Sequence, residues 1–278
     1  MSWETCPKVP GVTAACVNQA SALADTLKGE PHSIPTLTCS IDQFYLTRKA
    51  QQDLAQLQPS NDLIRHRGQP STHDLPLAIE VLLSLRRGLP TKIPSFDKSA
   101  FNGEGDRNLP ERWRSANEDL SRRARVLILE GWCIGFAALP ASALIQKWSD
   151  AIRKSIRQNY HSRLANSQLS SLAFVNSALQ SYDELSSFLD CLIHLDAEDP
   201  LSVYEWRLQQ EHALWDTSHA GMTDEQVINF VDDYYPAYEL YSSGLRGQNK
   251  IAAAQRLRVI LGSDRRIVDA FETSDLGS

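Results

Sequence analysis

One segment of the chain, residues 124–132 (ARVLILEGW), constrains the fold more than any other. It is an almost unbroken apolar run that ends in Glu130 and Gly131. Such a run is typical of a strand buried on both faces, as in a parallel sheet covered by helices. Similar short runs occur at residues 34–40, 188–197 and 256–261, and segments with helical spacing at residues 17–28, 47–58 and 74–88. Strands that alternate with helices predict βαβ units, and so an α/β fold with a mostly parallel sheet.

Composition narrows the class of protein. A chain of 278 residues with 42% hydrophobic content can bury the core of one large α/β domain. The net charge of −6, with basic residues scattered, does not indicate nucleic-acid binding. No apolar run approaches the length of a membrane span, and Met1 is not followed by a signal-peptide pattern. The five separated cysteines are typical of buried thiols in a reducing compartment, so we expect a cytoplasmic protein.

Carboxylates follow three of the predicted strands. Asp42, Glu130 and Asp196 each lie at a strand's carboxyl end, where parallel sheets bind ligands. A polar stretch, residues 92–123, is too long for an ordinary connection and is rich in Gly, Asp and Arg. We therefore interpret residues 92–123 as a binding loop.

Several motifs, in order, carry a resemblance to a known family. They are SIDQFYLT (40–47), RGQPSTHD (67–74), FDKSAFNGEGDR (96–107), LILEGWCIGF (127–136), VYEWRLQQE (203–211) and FVDDYYPAYELY (230–241). Together they resemble the fungal and plant D-glycerate 3-kinase branch of the uridine kinase and phosphoribulokinase superfamily, over about residues 17 to 270. The resemblance implies a three-layer P-loop NTPase-like fold and phosphoryl transfer from ATP, with Mg²⁺, to a hydroxyl of a small anionic acceptor such as glycerate.

The resemblance also implies roles for individual residues. Asp42 matches the aspartate that accepts or orients the proton of the acceptor hydroxyl, although a helix-capping role is the alternative. Gln43 stands where a second acidic residue usually follows. Glu130 matches an acidic position that holds Mg²⁺ directly or through water, and a solvated strand-end carboxylate is its alternative.

The remaining candidates are charged or polar residues on loops and on one helix. The resemblance implies acceptor contacts for Arg67, His73, Asp74, Lys98, Asp106 and Arg107. Cations on such a loop suit an anionic ligand. The alternative for the charged residues is a solvated run without a ligand, and the alternative for His73 is a local hydrogen bond in the helix cap. Arg207 would belong to a lid near residues 199–220 and stabilise charge on the transferred phosphate, unless it is simply an exposed helical arginine.

One expected motif is missing. A P-loop reads GxxxxGK[ST] and should precede the helix at residues 17–28, but the chain there reads CPKVPGVTAACVNQA and contains no GK dipeptide anywhere. We therefore expect residues 1–16 to be irregular, in place of the first strand and P-loop, and residues 17–278 to form one kinase-like domain. An omitted exon, gene decay and a non-catalytic binding protein remain as explanations for the missing loop. For the function, an accessory kinase of a specialised pathway with a different acceptor is a further alternative.

Overall fold

The computed structural model describes residues 12–158, 162–218, 221–247 and 255–274, which form a mixed α/β fold. The helices are α1 (Val12–Lys28), α2 (Arg48–Leu57), α3 (Leu75–Arg86), α4 (Ala141–Gln158), α5 (Arg163–Asn166), α6 (Leu169–Leu179), α7 (Asp183–Ser186), α8 (Ser202–Ser218) and α9 (Asp224–Arg246). The strands are β1 (Thr36–Ser40), β2 (Thr91–Ile93), β3 (Phe96–Asp97), β4 (Asp106–Arg107), β5 (Arg114–Ala116), β6 (Val126–Glu130), β7 (Cys191–Ala197), β8 (Gln255–Leu261) and β9 (Ile267–Ser274).

The principal strands are parallel, as the sequence predicts. β1 pairs in parallel with β6, in a register that sets Ser40 opposite Glu130. β7 pairs in parallel with β8, and β9 adds an antiparallel edge to β8. All four predicted strands are present, and the helices predicted near residues 47–58 and 74–88 are α2 and α3.

The hydrophobic core is divided in the same way as the strands. The larger cluster lies around β1 and β6 and includes Phe44, Leu82 and Tyr241. A separate cluster joins Trp206 of α8 to Val259 and Leu261 of β8. Each strand pair thus packs against its own cluster of apolar side chains. Among the described residues no strand lies between β6 and β7 to join the two pairs.

Three sequence-based expectations need correction. The first helix begins at Val12 rather than at residue 17, so residues 12–16 are helical and only residues 1–11 of the expected irregular segment lie outside the described residues. Residues 92–123 contain two short antiparallel ribbons, β2 with β5 and β3 with β4. Cys39 and Cys133 are buried as expected, but Cys191 is exposed.

Within the described part of the chain, no helix combines the length and apolar character that crossing a bilayer requires.

Helix α9 packs closely against the loop that precedes α3. The Tyr234 hydroxyl donates a hydrogen bond of 2.8 Å to the backbone oxygen of Arg67. The next residue, Gly68, has φ 139° in the region that favours glycine, and a Cβ there would lie 1.8 Å from the Tyr234 hydroxyl. Gln69 adds a bond of 2.7 Å from its side-chain amide to the backbone oxygen of Asp233. Gly68 is therefore required both by its backbone angle and by the space that Tyr234 occupies.

We predict that Gly68→Ala lowers the free energy of unfolding by roughly 3 kcal/mol or more, because strain and a clash act together. Gly103→Ala is the matched control, since Gly103 also has positive φ (93°) but no atom lies within 4 Å of the position that a Cβ would take there. Strain alone should cost the control about 1 kcal/mol. Urea unfolding of both variants measures the difference, and equal losses would contradict the proposed close packing.

Candidate active site

The site is built where β1 and β6 end side by side. β1 delivers Ser40, whose hydroxyl accepts a hydrogen bond of 3.3 Å from the backbone N–H of Asp42. The Gln43 side chain accepts one of 3.0 Å from the backbone N–H of Ser40, which completes a capping box. The tight turn buries Asp42 directly beyond the strand. Gln43, where the resemblance leads one to expect an acid, thus helps to fix the turn that positions Asp42.

Three charged groups meet at this edge of the sheet. The Lys98 ammonium lies 2.6 Å from Oδ2 of Asp42, and the side chain of Lys98 is half-exposed. Glu130 is buried, and neither of its carboxylate oxygens has a hydrogen-bond partner among the described residues. Burial above all, and to a smaller extent the Asp42 carboxylate, raise the pKa of Glu130 to about 7. The nearby Ser40 side chain and the positive charge of Lys98 lower this pKa, but by less.

These carboxylates offer a partial set of metal ligands. Mg²⁺ binds one or two protein carboxylates and keeps several waters. The two unpartnered oxygens of Glu130 fit that requirement, with Asp42 as the neighbouring acid. Among the described residues no group of three or more His, Cys, Asp or Glu side chains could hold a metal ion. Glu130 and Asp42 would therefore hold Mg²⁺ together with water or substrate oxygens.

His73 belongs to a buried aromatic cluster beside Asp42. Its Nδ1 lies 2.7 Å from the Tyr182 hydroxyl, and its ring stacks on Tyr45 with 4.7 Å between the ring centroids. Burial lowers the pKa of His73 to about 4, against the raising effect of Asp42. His73 is therefore neutral at physiological pH. Sequence reasoning missed Tyr45 and Tyr182, since no local pattern signals their contact with His73.

Arg107, Asp74 and Asp106 bind one another and the backbone around the site. Arg107 forms an ion pair of 2.9 Å with Asp74 and donates to the backbone oxygen of Tyr45 at 2.8 Å. Asp74 also caps α3. Asp106 accepts backbone hydrogen bonds from Arg48 (2.9 Å) and Arg107 (2.8 Å). The GEGD segment is thus fixed against the turn that follows β1.

Arg67 fixes the opposite side of the same loop. Its guanidinium donates to the backbone oxygens of Gly103, at 2.7 Å, and of Glu104. It also lies over the Phe96 ring, 5.4 Å from the centroid. Of the cations predicted to contact an acceptor, only Lys98 forms an ion pair with Asp42 in the described part of the chain, whereas Arg107 pairs with Asp74.

Arg207 stands apart from this group. On α8 it pairs at 2.8 Å with Glu211, one helical turn along, and lies 5.5 Å from the ring centroid of Phe230 on α9. Burial lowers the pKa of Arg207, and Glu211 opposes this. These contacts join α8 to α9, and a role in a lid remains a prediction.

The residues at the site do not fit the phosphates of ATP as a complete cradle. Tight phosphate binding uses successive backbone N–H groups from a glycine-rich loop together with a lysine. The sequence has no GxxxxGK[ST] segment. Lys98 supplies a cation, but the described residues of α1 offer no glycine turn for the phosphates.

Comparisons with known proteins identify relatives of this chain. The chain is 37% identical over 249 residues to an uncharacterized kinase of Schizosaccharomyces pombe, covering 88% of this chain and 83% of that protein. It is 36% identical over 209 residues to the chloroplastic D-glycerate 3-kinase of Arabidopsis thaliana, covering 73% of this chain but 40% of the plant protein.

A solved structure extends the likeness to three dimensions. D-glycerate 3-kinase from Cryptococcus neoformans superposes with a TM-score of 0.84 at 32% identity, covering 98% of this chain and 92% of that one. No protein-family model matches the chain. The structural match over 98% of the chain shows a P-loop NTPase-like fold despite the missing loop. The chain belongs to the glycerate-kinase-like family of P-loop kinases.

Proposed function

We propose that this protein descends from an ATP- and Mg²⁺-dependent kinase and retains the acceptor half of its active site. The observation that carries the proposal is the meeting of Lys98, Asp42 and Glu130 at the ends of two adjacent parallel strands. Phosphoryl transfer needs a group that orients the acceptor hydroxyl, a cation and a metal ligand. The three residues supply one of each.

The roles follow from charge and position. Asp42 would accept or orient the proton of the acceptor hydroxyl, and Lys98 would both fix the position of the Asp42 carboxylate and attract an anionic acceptor. Glu130 would hold Mg²⁺, whose chemistry is to neutralise charge on the phosphates. The acceptor loop would be positioned by the contacts described above, which involve Arg67, Asp74, Asp106 and Arg107. His73 would form an uncharged side of the site.

The acceptor that the relatives favour is glycerate. The plant and Cryptococcus proteins are named D-glycerate 3-kinases. Glycerate carries one carboxylate, which suits the half-exposed Lys98 ammonium. We further propose that residues 92–123 form the acceptor loop, that a lid lies near residues 199–220, and that the protein works in the cytoplasm.

A second candidate is a binding protein that has lost catalysis. The missing GxxxxGK[ST] segment favours it, because catalysis in this class depends on positioning and on charge stabilisation at the phosphates. Such a protein would bind the acceptor without transferring phosphate. Asp42→Asn would then leave its biological role unchanged.

We predict that D-glycerate raises the melting temperature of the protein and that Lys98→Met abolishes the increase. Among the described residues Lys98 is the only cation paired with Asp42, and the substitution removes it. Lys92→Met is the matched control, since Lys92 lies on the same loop but binds Ser115 at 2.7 Å. Differential scanning fluorimetry with glycerate, and with acetate as a ligand control, measures the shift. An unchanged response in Lys98→Met would exclude this acceptor site.

We predict that the present chain neither binds Mg-ATP at micromolar concentration nor turns it over. Inserting an apolar strand and a GxxxxGK[ST] loop ahead of Val12 should restore glycerate-dependent ADP release, and Asp42→Asn in that chain should lower it by roughly 10²–10⁴-fold. A coupled assay and calorimetry provide the measurements. Tight Mg-ATP binding and turnover by the unaltered chain would overturn the prediction, whereas ATP binding without glycerate-dependent release would exclude glycerate.

We predict that Glu130→Gln becomes more stable than the wild type as pH rises. The folded pKa of about 7 exceeds the ordinary value of 4.5, so the wild type loses stability between these pH values and then levels off. The loss should approach about 3 kcal/mol, and the glutamine variant should not show it. Urea unfolding from pH 4.5 to pH 8 measures the difference.

The matched control is Glu198→Gln, which removes an exposed carboxylate just beyond β7. At pH 8, Mg²⁺ should stabilise the wild type and the Glu198 variant but not Glu130→Gln. Parallel pH profiles for all three proteins would show that Glu130 does not titrate as a buried acid.

A further inference from the structure

Two strand edges have no partner among the residues that the structure describes. β6 pairs with β1 on one side only, and β7 pairs with β8 on one side only, among the residues described. Each open edge carries a row of backbone N–H and C=O groups that can pair with another extended chain. Natural sheets seldom leave such an edge open in the middle of a fold.

The two open edges face the same space and run in the same direction. At their amino ends, Arg86 of α3 lies 4.0 Å from Asp190, which precedes β7. A Cβ on Gly88, just beyond α3, would lie 3.0 Å from the Arg123 side chain, which precedes β6. One end of α3 thus contacts the starts of both strands. All residues of β6 and of β7 line one cavity of about 860 Å³, which we name the strand slot.

The walls of the strand slot are largely apolar and incompletely covered. β6 has the composition of a strand buried on both faces, yet none of residues 126–129 is fully buried. On β7 the Ile193 side chain is 45% exposed. Apolar side chains of α1, α3 and α8 also line the slot, namely Leu23, Leu27, Leu82, Leu85 and Trp206. Most apolar side chains of the two strands are therefore only partly covered by the described residues.

The charges at the slot indicate how an occupant is oriented. Arg86 is already paired with Asp190 at the amino ends of the strands. At the carboxyl ends, Asp196 is paired with Arg246 and Arg258, whereas Glu130 has no hydrogen-bond partner among the described residues. An occupant with an uncharged middle and a cation at its carboxyl end would complement Glu130.

We propose that the strand slot binds one extended apolar segment of a separate polypeptide, which has no charge along its middle and a cation at its carboxyl end, and which pairs in parallel with both β6 and β7. The added strand continues the β1–β6 and β7–β8 pairing into one sheet and satisfies both rows of backbone groups. Its apolar side chains join the two core clusters. This inference goes beyond the proposed function, because strand binding requires no phosphoryl transfer.

Other occupants suit the slot less well. Residues 1–11 of the chain, MSWETCPKVPG, include Glu4, Lys8 and two prolines. Proline lacks a backbone N–H, and a charge in the apolar middle of the slot would be buried without a partner. A small apolar ligand would leave both rows of backbone groups unpaired. An extended apolar peptide meets every one of these requirements.

Hydrogen exchange of the full chain, read by mass spectrometry, tests the proposal. The probe is a short acetylated peptide of valine, isoleucine and alanine that ends in glycine and lysine. At saturation it should slow exchange of the β6 and β7 amides on the order of tenfold or more. It should also slow alkylation of Cys191, which is exposed and lines the slot. The control peptide has proline at alternate positions and should do neither.

Variants define the site of binding. Ile193→Asp places a charge in the slot and should abolish the protection, while its exposure allows the fold to tolerate the change. Ile267→Asp on β9, where the isoleucine is 69% exposed and lies away from the slot, is the matched control and should behave as the wild type. Equal protection in both variants would place the peptide elsewhere and overturn the proposal.

Two further results would also overturn it. One is the absence of protection at any peptide concentration. The other is strong protection of both strands without peptide, which would mean that the chain itself or a second copy fills the slot. Light scattering distinguishes these two cases, because only the second gives a dimer. The stabilisation by D-glycerate should persist in Ile193→Asp, so failure of strand binding and failure of the proposed function remain distinguishable.

Discussion

The parallel pairing of β1 with β6 is the constraint on which the candidate site depends. Its register sets Ser40 beside Glu130, so the turns that follow the two strands must pack against each other. The contact is close, because a Cβ on Gly131 would lie 2.4 Å from the Ile41 side chain. A larger residue at position 131 would push the turn that carries Asp42 away from Glu130. The glycine after β6 therefore helps to keep the two carboxylates neighbours.

Around that pairing, the charged residues divide into two groups. Arg67, Arg107 and Asp106 form hydrogen bonds with backbone groups, and so give the long loop a defined path. Lys98 and Glu130 keep binding capacity, the one half-exposed and the other without a hydrogen-bond partner in the described structure. The first group explains why a loop rich in glycine can still present a single lysine to Asp42. Pre-organisation of this kind lowers the entropic cost of binding a small ligand.

The sequence allowed the strand positions, the α/β class and the meeting of Asp42 with Glu130 to be predicted, since parallel strands end at one edge of a sheet. It did not allow the partners of Lys98 and Arg107 to be predicted, because these contacts join loops far apart in the chain. The start of α1 was misplaced because an irregular loop was expected there, although Ala14 and Ala15 have high helix propensity. By contrast, the i, i+4 spacing of Arg207 and Glu211 is a local signal for their helical ion pair, although the sequence analysis considered only a lid role or an exposed position for Arg207.

Helix α9 gives the divided core a property that neither half has alone. At its middle, Tyr234 contacts Trp132 beyond β6, and at its end Arg246 binds Asp196 on β7. The part of the helix from Tyr234 to Arg246 spans roughly 18 Å and contains Pro236, which removes one backbone hydrogen-bond donor. An apolar gap in a protein would ordinarily shrink as its walls move together. Here one continuous helix contacts both walls, so among the described residues α9 limits how closely the carboxyl ends of β6 and β7 can approach each other.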